Sequence, residues 1–153
     1  GKPIGLFESG AILMYLAEKT GKLMPSDPAR RWETIEWVFF QMASVGPMFG
    51  QLGFFHKFAG AAYEDKRPRD RYATESKRLL NVLETRLADR RWIVGEEYTI
   101  ADISMMGWVR NLIGFYGAAE IVEYAKLKHV PAWLERCLAR PAVQRGLEIP
   151  KRS

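Results

Sequence analysis

The chain has 153 residues, 48% hydrophobic and 27% charged, with 23 Lys and Arg against 18 Asp and Glu for a formal net charge of +5. That balance belongs to an ordinary globular protein and excludes a disordered or low-complexity chain. The single cysteine, Cys137, excludes an internal disulfide framework and fits a reducing, cytoplasmic setting.

In chain order, residues 1–8 hold Pro3 and the short apolar run Ile4–Phe7, which reads as the end of a strand with no room for a full sheet. Ser9–Lys19 follow with Ile12, Leu13, Leu16 and Ala17 at helical spacing, and Gly21 is placed to stop that helix. The segment Leu6-Phe7-Glu8-Ser9-Gly10-Ala11-Ile12 is therefore a strand-to-helix junction with an acid and a hydroxyl at its corner. The first N–H groups of a helix have no internal partner and carry the positive end of its dipole. A ligand carboxylate fits those groups and the Ser9 hydroxyl, while Glu8 suits a ligand ammonium. Plain capping by Ser9 beside an exposed acid explains the same residues, and both readings stand at this point.

Asp27-Pro28 opens the next helix, with Asp as N-cap and Pro at the first helical position, and the pattern runs to about Phe58 with a kink at Gly46-Pro47. Trp37 to Phe55 carry no charge, a length that could span a bilayer, but Gly46, Pro47, Gly50, Gly53, Gln41, Ser44 and Gln51 interrupt it. A bent helix in a bundle is predicted, and no membrane span. Residues 60–69 read as a loop. From Asp70 to Arg90, Tyr72, Leu79, Leu80, Leu83 and Leu87 make one apolar stripe. Thr99 to about Phe115 is apolar nearly all round, Asp102, Arg110 and Asn111 excepted, which predicts the central helix of a bundle. Shorter helices are predicted over 118–126, 131–139 and 141–147. Everything after Pro25 reads as all-α.

Thr99 and Asp102 are spaced as a capping box with Asp in place of Glu, and Tyr98 and Ile103 as its hydrophobic staple. Asp102 is therefore a folding residue whose removal costs about 1–2 kcal/mol, not a catalytic acid. His56 and His129 lack acidic or thiol companions at ligand spacing, so no metal site is predicted. The basic clusters are scattered among acids without a helix-turn-helix or stacking platform, so neither is nucleic-acid binding.

Together these segments resemble the cytosolic glutathione transferase family. The junction Phe7-Glu8-Ser9-Gly10-Ala11-Ile12 is similar to that family's site for the γ-glutamyl end of glutathione. Gly95-Glu96-Glu97-Tyr98-Thr99-Ile100-Ala101-Asp102 resembles its capping box, and Val130-Pro131-Ala132-Trp133 with Arg140-Pro141-Ala142 its closing pattern. Trp37 to Gln41 and Gly46-Pro47-Met48-Phe49-Gly50-Gln51 look like the bacterial nu-type branch, whose members use glutathione to reduce disulfides.

The resemblance implies an all-α fold: the family's C-terminal helical bundle over 27–150, preceded in 1–22 by the last strand and helix of a thioredoxin-like domain. Most of that domain, with the residue that activates the thiolate, is expected to lie outside the chain, leaving apolar surface exposed on the first helix. Glutathione is implied as co-substrate, bound by Glu8, Ser9 and Arg71, with no catalytic residue in these 153. Gln51, Phe54, Phe55 and His56 are expected to line the acceptor pocket for a small electrophile or a disulfide. The implied activity is conjugation or disulfide reduction by the glutathione thiolate in a cytoplasmic homodimer paired through the first two helices. The alternative is a non-catalytic helical interaction module.

Overall fold

The starts and stops written in the sequence set the frame of the structure, a computed structural model that describes residues 3–149. Helix α1 spans Ser9–Thr20 and ends on Gly21, whose left-handed φ of 64° lets its N–H return to the Ala17 carbonyl at 2.9 Å. Helix α2, Pro28–Phe40, starts as predicted: the Asp27 carboxylate accepts from the Arg30 N–H at 2.9 Å. The chain then passes through one wide π turn, Gln41–Val45, into α3, Gly46–His56. The predicted kink is thus this turn, immediately before Gly46; Pro47 has no N–H to give the preceding turn, and the wider turn absorbs the mismatch.

A single 3-10 turn, Ala59–Ala62, leads to α4, Arg67–Leu87. That helix begins inside the predicted loop, because Asp65 accepts from the Arg67 N–H at 3.0 Å and Pro68 is tolerated in a first helical turn. Trp92 and Gly95 exchange backbone hydrogen bonds of 2.8 and 3.1 Å in a tight turn, with Gly95 at φ 84°. Helix α5, Ile100–Arg110, runs into a second π turn, Asn111–Phe115. The helix predicted over 118–126 does not form: turns fill the segment up to a 3-10 turn at Tyr124–Lys126, preceded by Glu123 in a left-handed conformation (φ 55°). Helices α6, His129–Leu138, and α7, Pro141–Leu147, close the described chain.

The described residues are all-α, as predicted. Ile4–Phe7 forms no strand, since no neighbouring strand offers its backbone a ladder. Ile4 and Phe7 are 63% and 81% exposed. Among the described residues no helix is long and apolar enough to cross a membrane; Val38, Val45, Phe49 and Leu52 of the uncharged stretch are buried.

The main core joins Val45, Phe49 and Leu52 to Leu79, Leu80, Leu83 and Leu87 of α4, Met105 and Val109 of α5, Leu112 of the second π turn, and Trp133 and Cys137 of α6. A smaller cluster of Ala17, Val38 and Ile100, with Leu13, Met14 and Met42 against it, holds α1 on α2 and α5. The glycines of α3 are docking notches: a Cβ on Gly53 would stand 2.7 Å from the Tyr116 ring, and one on Gly46 3.2 Å from the Trp108 indole.

Fully buried Asp102 is the hub of the bundle. Both halves of the capping box form, with the Asp102 carboxylate accepting from the Thr99 N–H at 3.0 Å. Its other oxygen accepts from the Ile93 N–H at 3.0 Å and the Trp133 indole N–H at 2.9 Å. One side chain therefore ties α5 to the Trp92–Gly95 turn and to α6. Burial pushes the carboxyl upward while these hydrogen bonds pull it down, and the net direction is up.

Candidate functional site

The start of α1 is built differently from the sequence expectation. Glu8, not Ser9, is the N-cap, at φ 66° and ψ 117°, and its side chain makes no capping bond. A non-glycine residue there holds backbone strain, which structures keep where something depends on it. Ser9 is the first helical residue, and its hydroxyl meets only the Met42 thioether, at 3.8 Å. The first bond of the helix runs from the Ile12 N–H to the Glu8 carbonyl at 3.0 Å. The N–H groups of Ser9, Gly10 and Ala11 precede it and have no partner within the helix. Glu8 and Ser9 are both exposed.

An open hollow of about 470 Å³ begins at Ser9 and runs between α1, the first π turn and α5. Its polar lining is Ser9, Gln41, Ser104, Arg110 and Asn111, with the Trp108 indole beside them. Arg110 and Asn111 also line an adjoining hollow of about 360 Å³ that continues to Gly114 and Phe115. A smaller, almost wholly apolar hollow of about 260 Å³ is lined by Glu8, Gly10 and Ala11 themselves, with Met14, Val38, Phe39 and Met42 opposite.

The remaining predicted site residues stand elsewhere. Arg71 is exposed on α4, in a shallow groove with Arg67, Asp70, Thr74 and Glu75. Gln51, Phe54, Phe55 and His56 occupy the far end of α3; at the helical rise, Phe55 is about 20 Å along from Gln41. Phe55 stacks on Tyr72 at 5.7 Å and meets Phe54 edge-on at 5.0 Å, while a His56 ring nitrogen lies 3.3 Å from the Gly117 carbonyl. None of the four lines a hollow that adjoins Ser9. Sequence reading passed over Gln41, Trp108, Arg110 and Asn111 as site residues, although Arg110 and Asn111 already stood out as polar positions on an apolar helix. Cys137 is buried, and burial pushes its thiol well above the ordinary range, so it supplies no thiolate. Among the described residues no cluster of His, Cys, Asp and Glu is placed to hold a metal.

Residues 39–141 match the glutathione S-transferase, C-terminal domain family. The chain belongs to that family. This glutathione S-transferase C-terminal domain is 42% identical over 146 residues to the disulfide-bond oxidoreductase YghU of Escherichia coli, covering 94% of this chain and 50% of the relative. It is 40% identical over 148 residues to the disulfide-bond oxidoreductase YfcG of the same organism, covering 96% and 65%. The chain thus spans about half to two thirds of these relatives.

Among solved structures, a glutathione transferase from Burkholderia graminis with two glutathione molecules bound per subunit shares 65% identity at a TM-score of 0.97, covering 100% of this chain and 64% of that one. One from Pseudomonas putida with a glutathione disulfide bound per subunit shares 58% identity at a TM-score of 0.95, covering 97% and 64%.

Proposed function

We infer that this chain carries the glutathione head-group site and part of the acceptor wall of a glutathione-dependent disulfide-bond oxidoreductase of the transferase family. The carrying observation is the uncapped start of α1 at the strained Glu8, where Ser9 opens onto the larger hollow while Glu8, Gly10 and Ala11 line the apolar one. The γ-glutamyl carboxylate sits on the Ser9, Gly10 and Ala11 N–H groups and the Ser9 hydroxyl. The Glu8 carboxylate takes the ammonium in a charge-assisted hydrogen bond. Disulfide reduction is preferred to conjugation because the two curated relatives named above are disulfide-bond oxidoreductases and the Pseudomonas structure holds a glutathione disulfide.

In that reaction a glutathione thiolate attacks one sulfur of the acceptor disulfide and expels the other as a thiolate, giving a mixed disulfide. A second glutathione thiolate attacks the glutathione sulfur of that mixed disulfide, releasing the second acceptor thiol and glutathione disulfide. Two glutathiones are oxidised for each disulfide reduced.

The same reading assigns residues 1–22 to a glutathione-binding domain and 27–150 to the helical one, in a cytoplasmic homodimer paired through α1 and α2. Exposed Phe39 on α2 supports that pairing. Arg71 is proposed as an outer contact for a glutathione carboxylate, and Gln51, Phe54, Phe55 and His56 as a wall for bulkier acceptors. Calorimetric titration of the chain with reduced glutathione tests the head-group site. Ser9→Ala is expected to weaken binding about 10–100-fold, the loss of one hydrogen bond to a charged group. Unchanged affinity refutes the assignment.

A further inference from the structure

A hollow of about 300 Å³ opens where the turn after α1 meets α5 and α7. Its wall is carbon for the most part, from Leu23, Ile103, Met106, Val143 and Leu147. Leu23 and Leu147 are exposed there, and Leu23 holds a left-handed φ of 64° that costs a non-glycine residue. Its carbonyl anchors it, accepting from the Ile100 N–H at 2.9 Å. Of this lining only Ile103 also borders the hollow at Ser9, so the two are distinct.

Tyr98 and Arg140 are the polar residues of the wall. The Arg140 guanidinium stacks on the Tyr98 ring, 3.9 Å from its centroid. Trp92 meets Tyr98 edge-on at 4.9 Å, and Arg91 and Arg136 each lie 5.9 Å from the Trp92 ring. None of these three arginines forms an ion pair with a described residue. Arg136 donates to the Arg91 carbonyl at 2.9 Å, which leaves Arg140 as the cation that borders the hollow. The Tyr98 hydroxyl and the Arg140 Nε are shut off from solvent and have no hydrogen-bond partner. Buried polar atoms are nearly always paired, and both orphans belong to the residues that give this hollow its polarity. A guanidinium stacked on an aromatic ring has its plane fixed, which prepares its edge to grip a carboxylate.

We propose that this hollow binds a small apolar monocarboxylate, its carboxylate on Arg140 and the Tyr98 hydroxyl and its body along Leu23, Met106 and Leu147. Charge complementarity sets the sign of the ligand, and the carbon wall sets the rest of it. The proposal does not depend on the head-group assignment at Ser9.

The test is calorimetric titration of the chain with octanoate, phenylacetate and the uncharged 1-octanol, in wild-type, Arg140→Met, Tyr98→Phe and Gly146→Leu forms. Octanoate and phenylacetate separate an aliphatic from an aromatic body. Arg140→Met is expected to weaken the bound carboxylate about 10–100-fold and to leave 1-octanol unchanged. Tyr98→Phe removes only the orphan hydroxyl; it should weaken the carboxylate about 10-fold while the thermal melt stays at or above wild type, since no bond within the protein is lost. Gly146 also lines the hollow, and a Cβ there meets nothing within 4 Å. Gly146→Leu therefore fills the space, suits the helix better than glycine, and is expected to abolish binding of carboxylate and alcohol alike. These last two variants keep the comparison open if Arg140→Met does not fold. Failure of both carboxylates to bind the wild-type chain, or equal losses for carboxylate and alcohol in Arg140→Met, overturns the proposal. So does a dimer that Gly146→Leu disperses in sedimentation, which would make a second copy the occupant.

Discussion

Two helix starts in this molecule answer the same physical problem in opposite ways. At α5 the leading N–H groups are buried and closed off: Thr99 caps the helix and Asp102 accepts from Thr99, Ile93 and Trp133. At α1 Ser9 and Ala11 are exposed and only Gly10 is buried, the residue before them is strained at φ 66°, and the side chains at the corner cap nothing. Burial decides the difference. An unpaired donor inside the bundle costs about 1–3 kcal/mol, whereas one facing solvent costs little and remains available to a ligand. A closed start stabilises a fold; an open one can serve a site.

Opening the closed start has the largest expected effect. Asp102→Ala leaves the Ile93 and Thr99 N–H groups and the Trp133 indole unpaired in the core, a loss of about 3–4 kcal/mol. For a chain of this size that lowers the melting temperature by roughly 10 °C. The value exceeds the one derived from the capping box alone, because Ile93 and Trp133 approach Asp102 only in three dimensions. Thermal denaturation followed by circular dichroism measures it; a loss below 1 kcal/mol would mean that the hub is no stronger than an ordinary cap.

A third helix start is closed from a distance. Glu84 on α4 accepts from the Lys128, His129 and Val130 N–H groups at 2.7, 2.9 and 2.8 Å, capping α6 across the bundle. Partial burial pushes the Glu84 carboxyl up, but the three backbone donors outweigh it and hold it below its ordinary 4.5. A lowered folded-state value means that this stabilisation is present above about pH 4.5 and is lost as pH falls through the folded value. Asp102 has the opposite sign: its raised value favours the folded state most below 3.8, and that contribution fades as pH rises through the folded value. Glu84→Gln should cost about 1–2 kcal/mol at pH 7 and flatten the acid limb of the stability profile. An acid limb unchanged in the variant would show that Glu84 does not carry it.

What the sequence disclosed follows the range of the interaction. Asp27-Pro28, Gly21 and Thr99-x-x-Asp102 act within one turn of helix, and each was legible with its boundary. The apolar stripes of α4 and α5 showed which faces are buried, hence the bundle. The reach of Glu84 to α6 spans 44 to 46 residues and left no local mark. Glu123, in its left-handed conformation, broke a helix that the pattern over 118–126 favoured, because the turn there is set by tertiary contacts. At the start of α1, Glu8 and Ser9 drew notice because capping chemistry is local, though the N-cap is Glu8 rather than Ser9. Gln41 was missed because a glutamine on an uncharged stretch says nothing about which hollow it enters; Arg110 and Asn111 were visible as polar exceptions but had no stated use.

The smallest expected change in stability bears most directly on the open start. Glu8→Gly removes the Cβ that makes φ 66° costly, and relief of that strain is worth about 1 kcal/mol, partly offset by the greater freedom of glycine in the unfolded chain. The expected outcome is a melting temperature equal to or slightly above wild type. Reduced glutathione should nonetheless bind about 10-fold more weakly, since the carboxylate facing its ammonium is gone. Stability and binding would then move in opposite directions at one residue, as a strained corner retained for a ligand requires. A variant that loses stability as well would make Glu8 a structural cap after all, and the contrast between the two helix starts would reduce to one of exposure alone.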